Sequence, residues 1–254
     1  MRVLSYVLIA AALSSCAPAT VSTTGSPTPA STAGAERMPL DRPAPVVASG
    51  NIDPRTPLSS AQREWVERTF ASLTLRERAG QMVNIWVLGD YTNTSDSSFA
   101  EVLRWIQLDK VGGVTMSLGS PIEVAEKINA MQRAARVPLM VGADLEPNLG
   151  RLEGGVFTHY LMDAGGATVF PNAMAIAATG REQDAYDVGR AIGREARAVG
   201  MQMNFAPTVD VNNNPANPVI NTRSFGEDAH RVALLSAAFV KGSQDAGVVA
   251  TIKH

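Results

Sequence analysis

Acidic and basic side chains in this chain recur where a backbone could aim them at one place. Asp144 follows the apolar run Leu139-Met140-Val141, Asp210 follows Phe205-Ala206-Pro207, and Lys253-His254 follows Val248-Val249-Ala250. Carboxylates accept hydrogen bonds, an ammonium donates them and a neutral imidazole does both, so such groups can hold a polar ligand or move protons on it. Asp210 has the placement of a nucleophile. A cap at the end of its strand is the alternative for Asp144. For Lys253 and His254 the alternative is a frayed end without a role.

The densest polar stretch runs from Asn204 to Asp228 and contains three prolines among many asparagines. Proline restricts the backbone and asparagine bonds neighbouring amides, so such a loop can be long and ordered without being helical. Arg223 lies within it. Its planar fork of donors suits two-point contact with vicinal hydroxyls or a carboxylate. The same fork could instead pair with Glu227 or Asp228 and simply hold the loop.

The elements that must position these groups follow from the spacing of apolar residues. Strand-like runs occupy Met82 to Leu88, Val111 to Leu118, Pro138 to Asp144, Gln202 to Val211 and Val248 to Lys253. Helical spacing fills Phe99 to Leu108, Ile122 to Ala135, Glu182 to Val199 and Ala229 to Ala246. An earlier helix is expected over Ser60 to Ser72, with Trp65, Val66 and Phe70 near helical spacing, and Thr74 with Glu77 forms a capping box for the next.

Strands alternating with helices require parallel pairing through crossover connections, which gives an α/β fold: a TIM-type (β/α)8 barrel or a doubly wound sheet. Chemistry-bearing residues at the C-terminal ends of strands favour the barrel. No Gly-x-Gly-x-x-Gly turn follows the first strand, and Gly112-Gly113 precedes its strand instead of opening a helix. Only about five strands are present, and a closed barrel of eight needs roughly another hundred residues. The expected fold is therefore an incomplete (β/α)8 barrel.

The 254 residues are 45% hydrophobic, enough for a sizeable core, and a net charge of −2 argues against a nucleic-acid partner. The single cysteine, Cys16, excludes an internal disulfide and any cysteine-cluster metal site, while His159 and His230 lack a second ligand at metal-binding spacing. No cofactor or metal is expected.

Met1-Arg2, the apolar run Val3 to Leu13 and Leu13-Ser14-Ser15-Cys16 resemble a bacterial lipoprotein signal, which makes Cys16 the expected lipidated first residue of an exported, membrane-anchored protein. An ordinary signal peptide with an incidental thiol is the alternative. The apolar run falls short of the roughly 20 residues that span a bilayer as a helix. The expected organisation is a signal peptide over 1–16, a flexible tether rich in Pro, Ser and Thr over 17–51, and the folded region over 52–254.

Phe205-Ala-Pro-Thr-Val-Asp-Val-Asn, Asn217-Pro-Val-Ile-Asn-Thr-Arg-Ser-Phe-Gly-Glu-Asp228 and Thr251-Ile-Lys-His254 resemble, in order, landmarks of glycoside hydrolase family 3 in its β-N-acetylhexosaminidase branch. Leu73-Thr-Leu-Arg-Glu-Arg-Ala-Gly-Gln-Met82 and Val169-Phe-Pro-Asn-Ala-Met174 resemble two further blocks, so the likeness runs collinearly from Leu73 to His254.

The resemblance implies a carbohydrate substrate with β-linked N-acetylhexosamine, cleaved by a retaining double displacement. It implies that Asp144, Arg223, Lys253 and His254 contact the sugar ring being cleaved. Arg151 would be a further contact, although Asp144-Leu-Glu-Pro-Asn-Leu-Gly-Arg-Leu152 lacks the double glycine common in hexosaminidase relatives. It gives Asp210 a structural or loop-positioning part. It places the His-Asp acid/base pair in the loop after Lys253-His254 and the nucleophilic aspartate after a later strand, both beyond His254. The 254-residue polypeptide alone is accordingly expected to lack hydrolytic activity. A β-glucosidase of the same family and an anchored sugar-binding protein without turnover are the alternatives.

Overall fold

The computed structural model describes residues 56–89, 91–93, 95–117, 119–146, 167–168 and 170–254. The expected lipidation site Cys16, the expected tether, Arg151 and His159 lie outside the described residues.

Caps that are legible in the sequence start the first helices. Ser59 accepts from the backbone of Gln62, whose side chain accepts from Ser59 N, and opens α1 (Ser60–Ser72). Thr74 and Glu77 do the same for α2 (Leu75–Gly80). Although α1 has its expected span, none of its residues is buried, and Trp65, Val66 and Phe70 are exposed. Strand β1 (Asn84–Leu88) is followed by α3 (Ser97–Arg104), whose last turn widens into a π-helical stretch at Trp105–Asp109 that buries Ile106. The expected single helix to Leu108 thus ends in a different winding. Strand β2 (Gly113–Ser117) leads into α4 (Pro121–Ala134), which begins with a Ser120–Glu123 capping box and a proline at its first position, where no N–H is needed.

The remaining elements are β3 (Met140–Ala143), α5 (Ala173–Ala178), α6 (Glu182–Ala198), β4 (Met203–Asn204), a 3-10 turn (Asn221–Arg223), α7 (Ala229–Asp245) and β5 (Val249–Ala250). Helix α5 is absent from the expected elements, since six residues of mostly alanine are too short to display a 3.6-residue period.

The five strands form one parallel sheet in sequential order, with Gly113 opposite both Asn84 and Met140, and Asn204 opposite Ala143 and Ala250. A doubly wound sheet reverses its strand order at a switch point, and this one does not. The fold is that of an incomplete TIM-type barrel: among the described residues the sheet is open, with β1 and β5 at its edges. Strands β4 and β5 are shorter than their apolar runs, and the β4 run contains Pro207, which has no N–H to offer a ladder. Pairing resumes beyond it, where Thr208 bridges Lys253 in parallel.

Val114, Val141, Leu145, Met131, Ile192 and Val248 fill the core between sheet and helices. Helices α6 and α7 approach closely enough that a Cβ on Gly189 would lie 2.3 Å from the Phe239 carbonyl oxygen, and one on Gly242 2.1 Å from that of Tyr186. Only glycine fits at either position.

Candidate functional site

The site is assembled where β3, β4 and β5 end. Asp144 immediately follows β3, and Glu146 lies two residues further with fully buried Leu145 between them. Asn204 on β4, itself fully buried, fixes this segment. Its Oδ1 accepts from Leu145 N at 3.0 Å and its Nδ2 donates to Leu145 O at 3.4 Å.

Lys253 is held by the backbone beside it. Val209 N donates to Lys253 O at 2.7 Å, and Lys253 N donates to Pro207 O at 3.3 Å. Its ammonium then lies 2.7 Å from Asp144 Oδ1 and 2.6 Å from Glu146 Oε1. His254 Nδ1 is 2.8 Å from Asp210 Oδ2. Both residues are thus tied into the fold by side-chain contacts and are not frayed. Asp210 orients His254 and, through its carbonyl, accepts from Ser224 Oγ at 2.6 Å.

Arg223 closes the 3-10 turn, where Nη1 donates to Val219 O at 3.1 Å. Its Nε and Nη2 donate to Glu146 Oε2 and Oε1 at 3.1 and 3.0 Å, a two-point contact across 77 residues of sequence. Pairing with Glu227 or Asp228, the alternative drawn from the sequence, is thereby corrected. Asp228 caps α7 by accepting from Arg231 N, and neutral contacts hold the loop instead: Asn212 N to Gly226 O at 2.9 Å, and Asn172 Nδ2 to Thr222 Oγ1 at 3.0 Å. The last of these ties the start of α5 to the turn that carries Arg223.

Sequence reasoning missed Glu146, Thr208 and Asn204. Glu146 is only 8% exposed and makes a buried ion pair with Arg223, and Thr208 Oγ1 donates to its Oε2 at 2.8 Å. A signal did exist, because residues two apart in extended chain share a side. Glu146 stands in that relation to Asp144.

Burial pushes the Glu146 carboxyl up, but hydrogen bonds from Arg223 and Lys253, together with their charges, outweigh this and hold it below the ordinary carboxylate range. The same contact raises Arg223. Glu146 is therefore ionised at neutral pH and unsuited to donate a proton. Around it, Asp144 Oδ2 has no protein partner among the described residues, and Lys253 and Arg223 retain unused N–H groups. Acceptors and charged donors thus stand side by side, the pattern that recognises a ligand with several hydroxyls.

The profile of the glycosyl hydrolase family 3 N-terminal domain matches residues 74–254. The chain is similar to a β-N-acetylglucosaminidase/β-glucosidase of Cellulomonas fimi, with 35% identity over 191 residues that cover 75% of this chain and 30% of that protein. It is similar to β-hexosaminidase A of Pseudoalteromonas piscicida at 38% identity, covering 61% and 26%. Among solved structures, the family 3 β-N-acetylglucosaminidase of Paenibacillus sp. str. FPU-7 superposes with a TM-score of 0.60 at 39% identity, covering 72% of this chain and 33% of that one. The chain thus spans about a third or less of the length of these relatives.

Proposed function

The chain belongs to glycosyl hydrolase family 3, and we propose that it forms the sugar-holding part of a retaining β-N-acetylhexosaminidase. The observation that carries this reading is the convergence of Asp144, Arg223, Lys253 and His254 at the C-terminal ends of parallel strands, the face where barrel enzymes build their sites. In this role Asp144 accepts from two sugar hydroxyls, while Lys253, Arg223 and His254 donate to their neighbours and hold the ring for attack at the anomeric carbon. Arg151 is a further sugar contact in the same reading. The nucleophilic aspartate and the His-Asp acid/base pair follow the Lys-His segment in this proposal, so the residues described above bind and orient the sugar.

N-Acetylhexosaminide is the proposed substrate class: the relatives from Cellulomonas and Paenibacillus are named β-N-acetylglucosaminidases and that from Pseudoalteromonas a β-hexosaminidase. The Cellulomonas relative is also named a β-glucosidase, so glucoside is the competitor to test. Calorimetric titration of the chain with N-acetylglucosamine and with glucose should give preferential binding of the N-acetyl sugar. Protein isolated from its host should release 4-nitrophenol from 4-nitrophenyl N-acetyl-β-glucosaminide faster than from the β-glucoside. Binding of neither sugar and release from neither substrate would sink the proposal.

The same protein is proposed to be exported and anchored through lipid on Cys16, a reading supported by Leu13-Ser14-Ser15-Cys16 behind a short apolar run. Metabolic labelling with palmitate should mark the wild type and not a Cys16→Ser variant.

A further inference from the structure

We propose that Glu146 is a positioning residue which never touches the sugar but fixes the two cations that do; the proposal rests on the sugar-binding reading above. The argument is one of hydrogen-bond capacity. A carboxylate offers about four lone-pair sites. Glu146 Oε1 receives Arg223 Nη2 at 3.0 Å and faces the Lys253 ammonium in an ion pair at 2.6 Å, and Oε2 receives Arg223 Nε at 3.1 Å and Thr208 Oγ1 at 2.8 Å. All are taken by protein groups, and the residue is buried.

Its partners are not saturated. Arg223 uses Nε, one hydrogen of Nη1 and one of Nη2, which leaves two of its five N–H groups. Lys253 directs two of its three N–H groups at Asp144 and Glu146. Glu146 therefore determines where the unused donors point.

It also keeps the two cations together. Without its charge, Arg223 and Lys253 would repel, Asp210 and Asp144 would compete for Arg223, and Lys253 would be left to Asp144 alone. Asp144 Oδ2 would then be taken up by protein and lost to a ligand hydroxyl. A neutral, isosteric substitution should accordingly damage sugar binding at a residue the sugar does not contact.

The test compares wild type, Glu146→Gln and Glu146→Asp by two readouts: solvent exchange of the Arg223 Nε–H seen by nitrogen-15 NMR, and affinity for N-acetylglucosamine. In Glu146→Gln, exchange should quicken and affinity should fall by about ten- to a hundredfold, the scale of one charged hydrogen bond lost. Glu146→Asp keeps the charge and should recover part of both. A purely scaffolding residue would give Gln and Asp variants ordered by their stability instead.

Native-like Glu146→Gln protein that binds within twofold of wild type, with unchanged Nε–H exchange, would overturn the proposal. If the wild type binds no N-acetylglucosamine, the sugar-binding reading fails, and with it the proposed role toward a sugar. The exchange rates then report separately whether Glu146 holds Arg223.

Discussion

Lys253 and Glu146 meet at 2.6 Å, joining the segment after β5 to the segment after β3. The contact is buried enough that Glu146 would not be rescued by water if the ammonium were removed.

A Lys253→Met variant keeps the aliphatic stem and removes the charge. Glu146 is left with Arg223 and Thr208 alone, and a buried charge that loses a partner is destabilised by about 1–3 kcal/mol. A lower urea midpoint with unchanged slope is expected, together with loss of sugar affinity. Wild-type stability in this variant would mean that Glu146 is already satisfied by Arg223.

Asn204→Leu tests the clamp beneath the site. Leucine fills a similar volume but leaves the N–H and carbonyl of buried Leu145 unpaired, an expected loss of about 1–3 kcal/mol. Amide exchange at Leu145 should quicken more than at Val114 in the neighbouring strand. Equal protection at both would refute a local clamp.

Gly242→Ala sets two effects against each other. Alanine improves intrinsic helix propensity by about 1 kcal/mol. Its Cβ, however, would stand 2.1 Å from the Tyr186 carbonyl oxygen, which belongs to helix backbone and cannot swing away. Overpacking of about 1–3 kcal/mol or more should win, lowering the thermal midpoint by several degrees on the scale of about 2–4 °C per kcal/mol. A raised midpoint would show that α6 and α7 separate readily.

Acid should weaken the fold partly through Glu146. Its carboxyl titrates below the ordinary value of 4.5 in the folded chain, so the unfolded chain binds the proton more tightly. The contribution is fully present above 4.5 and is lost as pH falls through the lower folded value. Urea midpoints measured from pH 7 down to about 3 should fall more steeply for wild type than for Glu146→Gln at the acid end. Parallel curves would remove Glu146 from the acid response.

The spans of α1, α4, α6 and α7, the starts of α1 and α2, and the parallel alternation were legible in the sequence because they depend on local quantities. Cap chemistry acts over three residues, apolar periods over one or two turns, and a crossover connection over one helix. The placement of Asp144 at the end of β3 and of Lys253-His254 after β5 follows from the same periods, whereas Asp210 lies well past the end of the short β4. What only the tertiary structure decided was pairing. Arg223 could reach Glu227 or Asp228 along the chain, yet it meets Glu146 across 77 residues because the parallel pairing of β3 with β4 sets the segment that follows β4, which carries Arg223, beside the end of β3. The π-helical turn after α3, which packs against α2 and α4, likewise answers to neighbours in space. Local spacing can nominate a charged residue for a site, but its partner is selected by distance and by the desolvation of both groups, which exist only once the strands are side by side.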